Sequence, residues 1–88
     1  MKQITLDGNI LADAEKIHDY LKKALDLPAH YGNNLDALFD ILTEFTFPKI
    51  VFINYKNFEK KVPNFVRKLK TLNENLISEG SSNIIEFM

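Results

Sequence analysis

Asp36, Asp40 and Glu44 are the residues of this 88-residue chain whose type and spacing best fit a chemical task. They stand four positions apart, so on a helix they form a single stripe, with Phe39 beside the two aspartates. Like charges at this spacing cost about 0.2–0.5 kcal/mol per pair, and no Lys or Arg stands three or four positions from either aspartate to offset the repulsion. Asp36 gains from the positive helix N-terminus, whereas Asp40, a turn further in, gains little. An exposed Phe39 within the stripe is a second local inconsistency, and such violations mark functional surface. With the preceding loop, His30-Tyr31-Gly32-Asn33, the stripe makes an acidic patch with aromatic edges. An Arg fork accepts a carboxylate or a phosphate equally well, so aspartates on a rigid helix can imitate a nucleic-acid backbone. The plainer alternative is a solvated polar face whose charges are neutralised by cations from another helix.

Other chemistries have less support. An enzyme would use Asp36 with Asp40, or His30 with one of them, as an acid–base pair, but no recognisable nucleophile, oxyanion site, Gly-rich phosphate loop, GxSxG or HExxH accompanies them. The chain is therefore read as a binding module without catalytic residues. Metal binding at the aspartates lacks further ligands, so no metal or other cofactor is expected. The absence of cysteine removes disulfides, thiolate nucleophiles and Cys-bearing zinc sites. His18, between Ile17 and Tyr20, reads as a helix-flank residue.

The net charge of −1 conceals a strong asymmetry. Residues 24–48 hold four acids, Asp26, Asp36, Asp40 and Glu44, and no Lys or Arg. Residues 49–70 then carry seven cations against Glu59 alone. A negative pole in so small a protein suits a positively charged partner. The basic segment, with Tyr55 and Phe58 among Lys56, Lys60, Lys61, Arg67, Lys68 and Lys70, raises nucleic-acid binding as a competing reading. No RNA or DNA motif supports it, and basic runs on short helices are usually solvated faces.

The elements that must position the stripe follow from periodicity and punctuation. Gln3-Ile4-Thr5-Leu6 alternates and stops at Asp7-Gly8-Asn9, a first strand and its turn. Apolar spacing from Asp13 through Ile17, Tyr20, Leu21, Ala24 and Leu25 predicts a helix over 13–26, stopped by Pro28. A second helix starts at Asn34 as cap, with Leu35, Leu38, Ile41, Leu42 and Phe45 on its inner face and Pro48 beyond its end. Ile50-Val51-Phe52-Ile53 is an unbroken β-branched run, the pattern of a strand covered on both faces and hence the centre of a parallel sheet. A short helix over 56–61 precedes Pro63. Asn64 then caps a longer helix with Phe65, Leu69, Leu72, Leu76 and Ile77 inward and Gly80 past its end. Residues 83–87 form the last strand. Strands joined by long helical connections pair in parallel, giving an α/β fold of three parallel strands with about four helices in one domain spanning 1–88. No apolar run reaches the ~18 residues of a membrane span. The N-terminus lacks the apolar core of a signal peptide, so the mature chain is expected to start there, in a cytosolic setting.

Tyr31 to Thr43, YGNNLDALFDILT, resembles the core motif of the barstar family, bacterial intracellular inhibitors of an extracellular ribonuclease. The order strand, helix, helix, strand, helix, strand agrees with that family over essentially the whole chain. The resemblance implies that the motif loop and second helix plug a ribonuclease active site. Tyr31, Gly32, Asn34, Leu35, Asp36, Phe39 and Asp40 stand at its contact positions, with Asp40 the chief phosphate mimic and Asp36 its neighbour. Leu35 and Phe39 would supply apolar contact, Tyr31 an aromatic edge with a hydroxyl, and Gly32 close backbone approach. His30 stands where the family has tyrosine, Phe39 where it has tryptophan, and Asn75 where it has glutamate; Glu79 matches an acidic contact position. Between Thr43 and Pro48 the chain is one residue shorter. The implied partner is a basic secreted-type ribonuclease, bound one-to-one by a cytoplasmic inhibitor that is monomeric when free. The alternative use of the same surface is as an acidic module for another basic partner or toxin.

Overall fold

The β-branched run becomes the middle strand of a three-stranded parallel sheet in a computed structural model that describes residues 3–88. Met1 and Lys2, where the expected chain start falls, lie outside the described residues. The order along the chain is β1 (Gln3–Asp7), α1 (Ala14–Ala24), α2 (Leu35–Glu44), β2 (Lys49–Ile53), α3 (Tyr55–Lys61), α4 (Pro63–Ser78) and β3 (Ile85–Phe87). The strands lie in the order β1-β2-β3, with Ile4 opposite Ile50 and Ile50 opposite Ile85. This is the expected α/β architecture. Ile50, Val51 and Phe52 of the central strand are buried in succession because both faces of the sheet are covered.

The helices bury one stripe each, at roughly 1.5–3 kcal/mol for a fully buried Leu, Ile or Phe side chain. Ile17 and Leu21 of α1, Leu38 and Leu42 of α2, Phe58 of α3, and Phe65, Val66, Leu69, Leu72 and Leu76 of α4 join the strands in one core. Helix α4 ends in a Schellman turn. Gly80, at φ +73°, donates its N–H to the Ile77 carbonyl at 3.0 Å, and the Ser81 N–H reaches the Leu76 carbonyl at 3.0 Å. Asp26 takes the same left-handed role after α1, at φ +52°, which ends that helix two residues before the expected limit.

Several expectations are corrected by packing. Tyr20, Phe45 and Ile77, assigned inward by spacing, are exposed by 41%, 59% and 58%: Phe45 falls past the end of α2 on extended backbone, and Tyr20 and Ile77 lie outside the stripes that α1 and α4 bury. Val62 rather than Asn64 precedes the first residue of α4, which is Pro63, whose missing N–H costs nothing at that position. The last strand is three residues long instead of five, since Asn83 turns away from the ladder to a different task. No helix among the described residues is long and apolar enough to cross a membrane.

Candidate functional site

Helix α2 is held at both ends by side chains from elsewhere in the chain. At its start the Ala37 N–H donates to Asn34 Oδ1 at 2.8 Å, the capping bond the sequence predicts. The entry to that cap requires two successive left-handed residues, Gly32 at φ +81° and Asn33 at φ +49°. Helix α1 fixes this turn. Asn33 Nδ2 donates to Asp19 Oδ1 at 3.0 Å, and Lys22 Nζ donates to the Ala29 carbonyl at 3.3 Å. Beneath them the Tyr31 hydroxyl meets His18 Nδ1 at 2.6 Å.

Both members of that last pair differ from expectation. Tyr31 is only 2% exposed, so it presents no aromatic edge or hydroxyl to a partner in this conformation. His18 is not a flank residue but a buried one, packed edge-on against Phe65. Burial disfavours the charged form of each group: the His18 pKa is lowered, with the nearby Asp19 opposing the shift, and that of Tyr31 is raised. The pair is thus a neutral hydrogen bond supporting the motif loop. Sequence periodicity cannot reveal it, because the two residues stand thirteen apart on separate elements.

At the other end of α2, four carbonyls would lack helical partners. Ser81 Oγ donates to the Leu42 carbonyl at 3.1 Å, and Asn83 Nδ2 reaches the same oxygen at 2.7 Å as well as the Phe45 carbonyl. Asn83 Oδ1 accepts from the Phe47 N–H at 2.9 Å. One buried amide therefore ties α2 and the segment after it to the α4–β3 loop.

With its ends fixed, α2 presents Asp36, Asp40 and Glu44 to solvent. Among the described residues no Lys or Arg nitrogen lies within 4.0 Å of any of the three, the ion pairs being Lys49–Glu86 and Lys70–Glu59. The two aspartates form one wall of a groove of about 530 Å³ between α2 and α4. Leu35, Phe39 and Leu72 line it as apolar surface, and Arg67, Lys68, Thr71 and Asn75 supply its other wall. Phe39 is half-buried against the core rather than exposed, so the apparent violation in the stripe is the apolar lining of this groove. Asn75 borders the groove without adding charge. The family model described as "Barstar (barnase inhibitor)" matches residues 1–82.

The chain belongs to the barstar family.

A Bacillus subtilis (strain 168) protein named "Putative ribonuclease inhibitor YrdF" is 44% identical over 59 residues, 67% of this chain and 64% of that relative's length. The chain thus spans less than two thirds of that relative's length. Of the residues that the barstar resemblance marks, the structure brings Leu35, Asp36, Phe39 and Asp40 together in the groove. Glu44 and Glu79 share a second hollow of about 300 Å³ formed by residues 42–46 and 79–83. Asn34 serves as the cap, Gly32 makes the turn, and His30 is exposed in the loop without lining either hollow. Matching positions run together along the pair, Asp36 near Lys68 at one end and Leu42 near Ser81 at the other, so α2 and α4 lie side by side in the same direction. Among the described residues no group of three or more His, Cys, Asp or Glu could hold a metal ion.

Proposed function

We propose that this barstar-family chain, as one domain over residues 1–88, inhibits a basic ribonuclease of the barnase type by seating Asp40 and Asp36 where the enzyme binds RNA phosphates. The observation that carries the reading is the exposure of both aspartates on a helix anchored at each end, with no chain cation within 4.0 Å among the described residues. A carboxylate so placed offers its lone pairs to guanidinium and ammonium groups without first breaking a bond within its own chain. Leu35 and Phe39 supply apolar contact beside them, and Glu44 and Glu79 extend the negative surface to the second hollow. Gly32 and His30 lie at the exposed loop edge, where close backbone approach is open to a partner. Tyr31 supports the loop from beneath through His18, and Asn34 supports the helix as its cap.

The inhibitor acts stoichiometrically, one per enzyme, as a cytoplasmic monomer. Calorimetric titration against a panel of secreted guanyl-type ribonucleases tests this. A one-to-one complex with at least one of them, lost or strongly weakened in Asp40→Ala, supports the proposal; absence of binding across the panel refutes it. Association should slow as salt rises, because opposed fields steer the encounter.

A further inference from the structure

The groove that displays the aspartates is bipolar. Facing Asp36 and Asp40 on the α2 wall are Arg67 and Lys68 on the α4 wall, yet neither cation bridges across. Arg67 is drawn along its own helix, where Nη2 approaches Asn64 Oδ1 at 3.5 Å, and it also borders a hollow that contains Glu59 and Glu74. The Lys68 side chain has neither a hydrogen bond nor an ion pair among the described residues. Nearby Lys70 shows the contrast: it lies 4.7 Å from the Tyr55 ring centroid and 3.9 Å from Glu59. In open water the unpaired groove charges cost little. Once a docked partner excludes water, each must find an opposite charge or carry a large desolvation penalty.

We propose that Arg67 and Lys68 are specificity-determining contacts, and that the ribonuclease seated on this groove carries a carboxylate beside its phosphate-binding cations, set against the α4 wall. This rests on the inhibitory reading above. The partner's cations meet α2 while its carboxylate meets Lys68 and Arg67, so the two rows of charge fix the register of the complex. A ribonuclease with a uniformly cationic face would be repelled by α4. If the two cations instead served as internal counterions for the aspartates, their removal would free the acidic wall and tighten binding to a basic enzyme. The two roles therefore predict opposite signs.

The test measures the affinity of the full chain for barnase by titration. The double variant Arg67→Gln/Lys68→Gln is expected to bind roughly two- to thirtyfold more weakly, the span for two partly exposed pairs. Urea-unfolding curves for the double variant that match those of the wild type guard against a folding artefact. Lys60→Gln/Lys61→Gln, the same loss of two charges on α3 outside the groove, should leave affinity unchanged. Unchanged or tighter binding by the double variant, with Asp40→Ala still weakened, overturns this proposal alone. Equal weakening by Lys60→Gln/Lys61→Gln also overturns it, since the effect would then belong to the overall field. Failure of the wild-type chain to bind barnase overturns both this proposal and the inhibitory reading with that enzyme.

Discussion

Replacing Asn83 by alanine should show how strongly the acidic helix depends on a residue outside it. The side chain is 7% exposed and makes three contacts: donation to the Leu42 carbonyl at 2.7 Å, donation to the Phe45 carbonyl, and acceptance from the Phe47 N–H at 2.9 Å. Alanine removes all three. Ser81 Oγ still holds the Leu42 carbonyl at 3.1 Å, so two backbone groups, the Phe45 carbonyl and the Phe47 N–H, lose their partner. Leaving a fully buried group unsatisfied costs about 1–3 kcal/mol, but water can reach part of this site. A total near 2–3 kcal/mol follows. At about 4–8 °C per kcal/mol for a domain of this size, Tm should fall by roughly 10–20 °C. Urea unfolding followed by far-UV circular dichroism supplies the free energy, and a thermal scan supplies Tm. Asn83→Asp should be at least as damaging, since it places a carboxylate oxygen against two carbonyls. A stability loss for Asn83→Ala below about 0.5 kcal/mol, the scale of an ordinary surface substitution, would refute the clamp.

Further outcomes follow from the loop that precedes α2. Because burial lowers the His18 pKa, the unfolded chain takes up its proton near the usual 6.5 while the folded chain does so only at lower pH. Stability from this site is therefore complete above about 6.5 and declines as pH falls through the lowered folded value; denaturation curves should show the slope in the wild type and not in His18→Gln. Asp7, whose pKa is lowered by hydrogen bonds from Asn54 and the Asn9 N–H, acts in a separate window, losing its contribution as pH falls below its ordinary 3.8. Gly32→Ala should cost about 1–2 kcal/mol in urea unfolding, since the residue holds φ +81° and its new Cβ would sit 3.2 Å from Asn34 Nδ2. A neutral result would show that the turn relaxes freely. Glu44→Gln should raise stability by about a few tenths of a kcal/mol by relieving the like charge of Asp40 and the unfavourable helix C-terminus; a loss would mean that Glu44 has a structural partner.

The sequence carried the local features of this site and missed those that depend on how elements meet. Asn34 as cap, the four-residue spacing of the acids, and the central strand over Ile50–Ile53 are decided within a few neighbouring positions, and all appear in the structure. The motif beginning at Tyr31 pointed to the family that the comparison establishes. What could not be read is the placement of α4 alongside α2. That packing puts Lys68 opposite Asp36, makes Phe39 part of a groove, and brings Ser81 and Asn83 to the end of a helix almost forty residues earlier in the chain. Tyr31 illustrates the same limit from the other side: its type suited a contact role, but α1 supplies a buried histidine that draws the hydroxyl inward. The exposure of Tyr20 and Ile77 was also invisible, because helical spacing records which residues share a face and not how wide the buried stripe is, and that of Phe45 follows from α2 ending one residue earlier.

Whether the two aspartates occupy the enzyme's phosphate sites is decided by inhibition kinetics. Steady-state kinetics of barnase on an RNA substrate, with the chain added at several substrate concentrations, tests it most directly when wild type and Asp40→Asn are compared. Asn keeps the shape of the side chain and removes its charge, leaving the enzyme's cations without their partner, a loss of about 3–5 kcal/mol if the pair is fully buried. Competitive inhibition by the wild-type chain is expected, with an inhibition constant at least about a hundredfold weaker for Asp40→Asn at essentially unchanged fold stability. Non-competitive inhibition, or equal potency of the two proteins, would contradict that placement.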